Sequence, residues 1–443
     1  MNPSTTSSQL DLQRPLNAQD YKTLSLSALG GALEFYDFVV YVFFAAVLGN
    51  LFFPPDMPDW LRQLQTFGIF AAGYLARPLG GIIIAHFGDI LGRKRMFTLS
   101  IFLMALPTLA IGLLPTYANI GIAAPLLLLL FRLMQGVAIG GEVPGAWVFV
   151  AEHVPGNRVG IAVSTLTAGL TAGILLGSLG SVAINGFYTP EEVAAYAWRF
   201  PFILGGVFGF VAVYLRRFLE ETPVFREMQA RRKLADDGLP LKILLREHFG
   251  ACVISMLLTW ILSAAIVVVI LLTPTYLQKV HHIAPALASQ ANALATVALA
   301  IGCLFFGWVA DRFNLRISMI ISFICLMICS YWFYSGLPGT PESLIGSYVL
   351  TGFTVGAVAT VPIAAVRAFP AAIRFSGLSF SYNVSYAVFG GLTPIMLTLW
   401  MQKDVMAPAH YVSSLAILGL VLAFVPLTTS LAHWHFGEAK AAT

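Results

Sequence analysis

Apolar runs of twenty residues or more recur along the whole chain, separated by short polar turns. Each run, wound as a helix, is long enough to cross about 30 Å of hydrocarbon. Twelve such spans are expected, over 23–53, 61–87, 95–115, 121–151, 158–186, 198–219, 247–279, 286–310, 317–337, 343–368, 375–400 and 408–433. Only 10% of the residues are charged and 58% are hydrophobic, whereas soluble domains carry about 25% charge. The solvent of this fold is therefore lipid. Alternating apolar and polar residues are absent, which excludes a transmembrane barrel.

The spans divide six and six about a polar stretch at 220–246, which reads as a solvated linker. The expected organisation is a tail at 1–22, a half at 23–219, the linker, a half at 247–433 and a tail at 434–443. Residues 1–22 lack a signal-peptide pattern. With the N-terminus inside, nineteen of the 25 Lys and Arg residues fall on the cytoplasmic side. The positive-inside rule then places both termini in the cytoplasm of an inner or plasma membrane protein. This bias accounts for the net charge of +4, so no nucleic-acid partner is needed. A lipid-binding role for Arg231, Arg232 and Lys233 is the charged alternative for the linker. Cys252, Cys303, Cys325 and Cys329 lie in apolar runs without metal-like spacing, as small packing residues do.

A charged turn follows the second span, Gly-Asp-Ile-Leu-Gly-Arg-Lys-Arg at 88–95, and a degraded copy, Asp-Arg-Phe-Asn-Leu-Arg, stands at 311–316. Asp89 and Asp311 are 222 residues apart, half the chain. Two homologous halves are the simplest source of that spacing. The turn resembles the motif Gly-x-x-x-Asp-x-x-Gly-Arg-Lys of the major facilitator superfamily. Asp89, Gly92, Arg93 and Lys94 match it, with Ala85 in the first Gly position; Gly307, Asp311 and Arg312 match in the second copy, where Asn314 replaces Gly. The resemblance implies an all-α membrane protein of twelve transmembrane helices in two pseudo-symmetric halves. It also implies a gating role, with charge contacts between helices holding the outward-facing state. Gly92 permits the tight turn, and Arg93 and Lys94 are expected to face anionic headgroups.

Ionisable groups at membrane depth are costly and usually functional. Glu34, Asp37, Arg77, Arg132 and Glu142 are such groups, with His86 near a span end. Asp37, Arg77 and Arg132 fall at similar depths when counted at 1.5 Å per residue. The 222-residue ruler carries Asp37 to Thr259, Arg77 to Leu299, Arg132 to Thr354 and Glu142 to Ala364, all neutral. Ion chemistry is thus expected in the first half. Asp37 is expected to carry the proton with Arg132 as its modulating partner, since a neighbouring arginine lowers a carboxyl pKa and desolvation raises it. A static ion pair is the alternative. Glu34, one turn away, is expected to share the proton, and Glu142 to act as a gate.

Four ordered segments sharpen the resemblance: Gly31–Asp37, Tyr74–Gly81, Arg132–Glu142, and Arg374–Gly377 leading to Tyr382-Asn383 and Phe389–Pro394. They look like the metabolite:proton symporter family, whose members carry organic acids or zwitterionic osmolytes. The match departs at Val143-Pro144, and the long C-terminal coiled coil of the osmolyte carriers is missing. Candidate substrate contacts are Arg77, Tyr36, Gln135, Trp260, Tyr382, Asn383 and Tyr386. The resulting expectation is a proton-coupled importer of a small organic anion, monomeric, with protons as the coupling ion and no other cofactor. A zwitterion symporter is the alternative, favoured if both arginines are consumed by acids; a transporter-like receptor is the reading from another class. No constellation for an enzyme is present.

Overall fold

The computed structural model describes residues 14–230, 240–337 and 341–425, without the side chains of some helical residues, Glu34 among them. Twelve helical segments cross the bundle. In the first half they are α1 (Ala18–Phe43), α2 (Asp59–Leu91), α3 (Arg93–Leu113), α4 (Ala123–His153), α5 (Val159–Phe187) and α6 (Arg199–Arg216). In the second half, α7 starts at Phe249–Ala265 and continues through a π turn, Ile266–Leu272, into Thr273–Lys279. Next come α8 (Pro285–Arg312) and α9 (Leu315–Ser335). Helix α10 runs Pro341–Val355, then a 3-10 turn and Thr360–Ala368; α11 runs Arg374–Ser385, then a π turn, Tyr386–Gly390, and Gly391–Met401; α12 is Ala407–Ala423. Among the described residues, nine helices meet a span's length and apolarity on their own, ten if the bent pair before and within α6 counts as one. Helix α1 carries three acids, Asp20, Glu34 and Asp37; α12 is described to Ala423, and the rest of the expected span to 433 lies outside the described residues.

The halves repeat the same pairings. Helix α2 packs on α4 as α8 does on α10, α1 on α5 as α7 on α11, and α3 on α6 as α9 on α12. Small residues set the close pairs. A methyl group at Gly136 would overlap the Gly73 carbonyl, and one at Gly356 would overlap the Gly302 backbone. Gly80 and Gly302, 222 residues apart, both press on a carbonyl of the partner helix, Val137 and Phe353. Irregularity repeats too: α1 gives way to a turn at Phe44 and α7 to a π turn at Ile266, again 222 apart.

Helix α2 shows how sequence spacing becomes orientation. Leu75, Leu79, Ile83 and Phe87 recur every four residues and are exposed, Leu75 at 70%, so they face lipid. Gly73, Arg77, Gly81 and Ile84 lie on the opposite face, against α4 and α11. Between the halves, contacts run along two lateral seams, α2 with α11 and α5 with α8. The linker contributes two short helices, Pro223–Ala230 and Pro240–Glu247. Its solvated reading needs correction, because Val224, Phe225 and Leu244 are buried. Arg231, Arg232 and Lys233 lie outside the described residues. The end of the bundle carrying this linker and the 88–95 turn is called the linker face below.

Candidate functional site

Arg77 sits where the halves meet. It is 2% exposed, and its guanidinium carbon lies 4.6 Å from the Tyr386 ring centre, 5.4 Å from Tyr74 and 5.5 Å from Tyr382. Tyr74 and Tyr386 stack across the seam at 6.0 Å and 11°. Trp147 of α4 meets Tyr382 edge-on at 5.2 Å and donates to Thr167 Oγ1 at 3.2 Å. Tyr382 and Tyr386, one turn apart, reach Arg77 from α11 at the start of its π turn, a helix irregularity often found at functional sites. Among the described residues, Arg77 Nε and Nη2 have no hydrogen-bond partner. No ion pair joins Arg77 to an acid whose side chain is described, and that of Glu34 lies outside the description. A free buried arginine, however, serves the carboxylate of an anion and of a zwitterion equally, so it does not by itself choose between them.

Asn383 faces the same seam, its Oδ1 buried without a hydrogen-bond partner among the described residues. It donates to Gly140 O at 2.6 Å and Ser379 O at 2.8 Å, tying α11 to α4. Three other substrate candidates lie elsewhere. Tyr36 donates to Pro201 O at 3.2 Å and packs on Phe208, inside the first half. Trp260 stacks on Phe389 at 4.1 Å and donates to the Tyr411 hydroxyl at 2.8 Å, bracing α7 against α11 and α12. Gln135 belongs to the polar group described next. A large aromatic ring or amide at membrane depth has either use, and helical periodicity does not separate them.

Asp37 and Arg132 both lie buried in the first half, without the hydrogen bond expected between them. Arg132 donates from Nη1 to Gln135 Oε1 at 2.7 Å, and Gln135 donates to Thr108 Oγ1 at 2.8 Å. The Arg132 guanidinium lies over Tyr41 at 4.3 Å and Phe70 at 5.3 Å. The Asp37 carboxylate occupies the space left by Gly205 and Gly209 of α6, beside Thr108. Neither of its oxygens has a hydrogen-bond partner among the described residues. An amide and a hydroxyl therefore stand between the acid and the base. Glu142 accepts from Ser100 of α3, a contact within the first half.

Most of the residues expected to gate lie at the linker face. Asp89 accepts from the Ser376 N–H at 3.0 Å and from its hydroxyl at 2.7 Å, at the start of α11. Arg93 lies 3.2 Å from Asp89 and 3.4 Å from Glu152, and donates to Ala371 O at 2.8 Å. Arg374 pairs with Glu152 at 2.9 Å, and Thr222 donates to the same carboxylate at 2.9 Å. Arg93 is fully buried, which corrects the expectation that it faces headgroups; the acids around it and the Phe225 ring at 5.0 Å take that place. The Lys94 backbone N–H donates to Glu221 at 3.2 Å. In the second half Asp311 accepts from the N–H groups of Gly160 and Ile161, both at 2.7 Å, at the start of α5. Each aspartate thus caps a helix N-terminus of the other half, where the helix dipole favours negative charge. Arg312 is exposed and stands outside this contact.

Glu152, Arg374, Ser376, Tyr74 and Trp147 were not among the expected site residues. Glu152 is the last acid of α4, one residue beyond the expected span, and such an end position reads as solvated.

Known proteins agree with this architecture. A family model described as Major Facilitator Superfamily matches residues 38–394. The chain belongs to the major facilitator superfamily. It is 33% identical over 420 residues to the proline/betaine transporter of Salmonella typhimurium, covering 90% of this chain and 82% of that one. It is 31% identical over 426 residues to the glycine betaine/proline/ectoine/pipecolic acid transporter OusA of Dickeya dadantii, with the same coverage. The solved proton:xylose symporter XylE bound to 6-bromo-6-deoxy-D-glucose superposes with a TM-score of 0.77 at 17% identity, over 94% of this chain and 98% of that chain. The protein is a multi-pass membrane transporter of this superfamily, with the two halves and two seams described above.

Proposed function

We propose that this transporter imports a zwitterionic solute of the betaine or proline kind together with protons. The observation that carries the reading is Arg77, boxed by Tyr74, Tyr382 and Tyr386, with two guanidinium nitrogens that have no hydrogen-bond partner among the described residues. A buried guanidinium without acceptors is costly. A solute carboxylate supplies two acceptors in matching fork geometry. The same tyrosines and Trp147 offer ring faces, which attract a quaternary or secondary ammonium. One small zwitterion uses both features; a simple organic anion, the leading expectation from sequence, uses only the arginine. The names of the Salmonella and Dickeya relatives support the zwitterion.

Asp37 is the proton carrier in this reading, and Gln135 and Thr108 relay its state to Arg132, which neighbours Tyr41 and Phe70. Glu34 shares that role by its position one turn away. Each charge moved through 100 mV contributes about 2.3 kcal/mol. The halves rock about the Arg77 site, and the Asp89–Arg93–Glu152–Arg374 network closes the linker face, which is cytoplasmic by the distribution of Lys and Arg. The unit is a monomer in the inner membrane.

The test is uptake of labelled glycine betaine and proline into proteoliposomes under an inward proton gradient. Accumulation that a protonophore collapses is expected, lost in Arg77→Ala and partly kept in Arg77→Lys. Accumulation of a simple carboxylate, with none of either zwitterion, overturns the reading.

A further inference from the structure

A cavity of about 640 Å³ opens beside the α2–α11 seam at the linker face. Its walls come from three parts of the chain: Ile82 and His86 of α2, Phe380 of α11, and Lys242, Leu245 and Arg246 of the helix Pro240–Glu247. That helix is anchored by Leu244, which is fully buried, while Lys242 and Arg246 are exposed. The cavity is therefore basic at its rim and apolar within. His86 lies five residues before the end of α2, about 8 Å at 1.5 Å per residue, so the rim stands near headgroup depth. The lipid-facing stripe of α2, including Ile83 and Phe87, runs beside it.

We infer that this cavity binds one anionic phospholipid, its phosphate between Lys242, Arg246 and His86 and an acyl chain along Ile82 and Phe380. Charge complementarity selects the occupant. Basic residues at the membrane surface attract anionic lipid, and the apolar interior rewards a chain that a free phosphate lacks. The opposite seam makes the contrast. A cavity of about 530 Å³ beside α5 and α8 carries Asp311 among Arg158 and Arg312, so a carboxylate already faces its cations and the attraction for an anion is weaker there. Because the lipid touches α2 of one half and α11 and the linker of the other, it holds the α2–α11 seam together.

The experiment uses the full chain, purified and delipidated in detergent, with bound lipid counted by native mass spectrometry. The probes are phosphatidylglycerol, phosphatidylcholine and inorganic phosphate. Wild type is expected to retain phosphatidylglycerol over phosphatidylcholine. The double variant Lys242→Gln/Arg246→Gln is expected to bind it on the order of tenfold more weakly, and Ile82→Trp, which fills the apolar end, to lose it as well. Arg226→Gln, an exposed linker charge paired with Glu220, is expected to behave as wild type. Unchanged retention in either cavity variant overturns the site. So does displacement of the lipid by inorganic phosphate at matched concentration, which marks a free-anion site instead.

Discussion

The two lateral seams of this transporter are built on the same plan with different chemistry. At both, an aspartate at the end of one helix accepts backbone N–H bonds from the first turn of a helix in the other half: Asp89 on α11 and Asp311 on α5. At the first seam the position four residues on is Arg93, which ties Asp89 to Glu152 and through it to Arg374. At the second seam the same position is Leu315, and Asn314, in place of Gly92, caps its own helix by accepting from Ile317 N–H at 2.8 Å. One seam is a network of buried ion pairs; at the other a carboxylate caps two amides, with Arg158 and Arg312 lining the cavity beside it. The interiors differ in the same sense. Asp37, Arg77 and Arg132 are buried in the first half, while their counterparts Thr259, Leu299 and Thr354 are equally buried and neutral. Among the described residues, a repeated scaffold thus carries the buried charges Asp37, Arg77 and Arg132 in its first half and neutral residues at their counterparts in the second. The lock is strong where it is networked, because breaking a buried ion pair strands the partner charge.

The largest effect expected is functional. Asp37→Asn should abolish uphill accumulation driven by a proton gradient while leaving exchange of labelled for unlabelled solute in place. Thr259→Val should keep gradient-driven uptake, and a loss there as complete as at Asp37 would break the asymmetry of the interiors. Next come the seams. Glu152→Ala strands Arg93 and Arg374 and should cost about 3–5 kcal/mol, read as a fall in thermal unfolding temperature in detergent. Asp311→Ala removes one acceptor from two amides and should cost about 1–3 kcal/mol. Equal costs would remove the distinction between network and single cap.

Smaller effects test the shared scaffold. Gly136→Ala and Gly356→Ala both force a methyl group onto a facing backbone. Each should cost about 1–3 kcal/mol by overpacking, and the two should match. The smallest effect concerns the helix starts. Asn17 and Asp20 cap α1 reciprocally, with Asp20 N–H donating at 2.9 Å and Asn17 N–H donating at 2.8 Å. The start of α7, at His248, has no side-chain cap. Asn17→Ala should cost about 1 kcal/mol. Burial pushes the Asp20 carboxyl up, but the hydrogen bonds from Arg14 and Asn17 outweigh it, so it titrates below its ordinary value. A depressed carboxyl stabilises the fold above the ordinary aspartate pKa and loses that support as pH falls through the lowered value. The stability gap between wild type and Asp20→Asn should therefore hold at neutral pH and close only below about pH 4.

Much of the scaffold was legible in the sequence. Run lengths gave the spans, and the distance from Asp89 to Asp311 gave the repeat, because both are one-dimensional quantities. The structure adds Gly80 with Gly302 and the irregularities at Phe44 and Ile266 at the same spacing, which the sequence did not mark. The site was legible in part. Arg77, Tyr382 and Tyr386 stood out as ionisable or hydroxylated residues at membrane depth, and they do converge. Tyr36 and Trp260 stood out for the same reason and brace helices instead, since depth does not report which way a side chain turns about its helix.

Composition, span length and the 222-residue repeat are properties of the chain as a string, and lipid as solvent turns them directly into helices and halves. Which charges meet is a property of the closed bundle. Arg93 looked like a surface anchor until α11 and the linker covered it, and Asp37 and Arg132 looked like a pair until Gln135 and Thr108 filled the space between them. Partners on helices far apart in sequence, as Glu152 and Arg374 are, become neighbours only when the seam forms. Their energy depends on burial that no single segment carries.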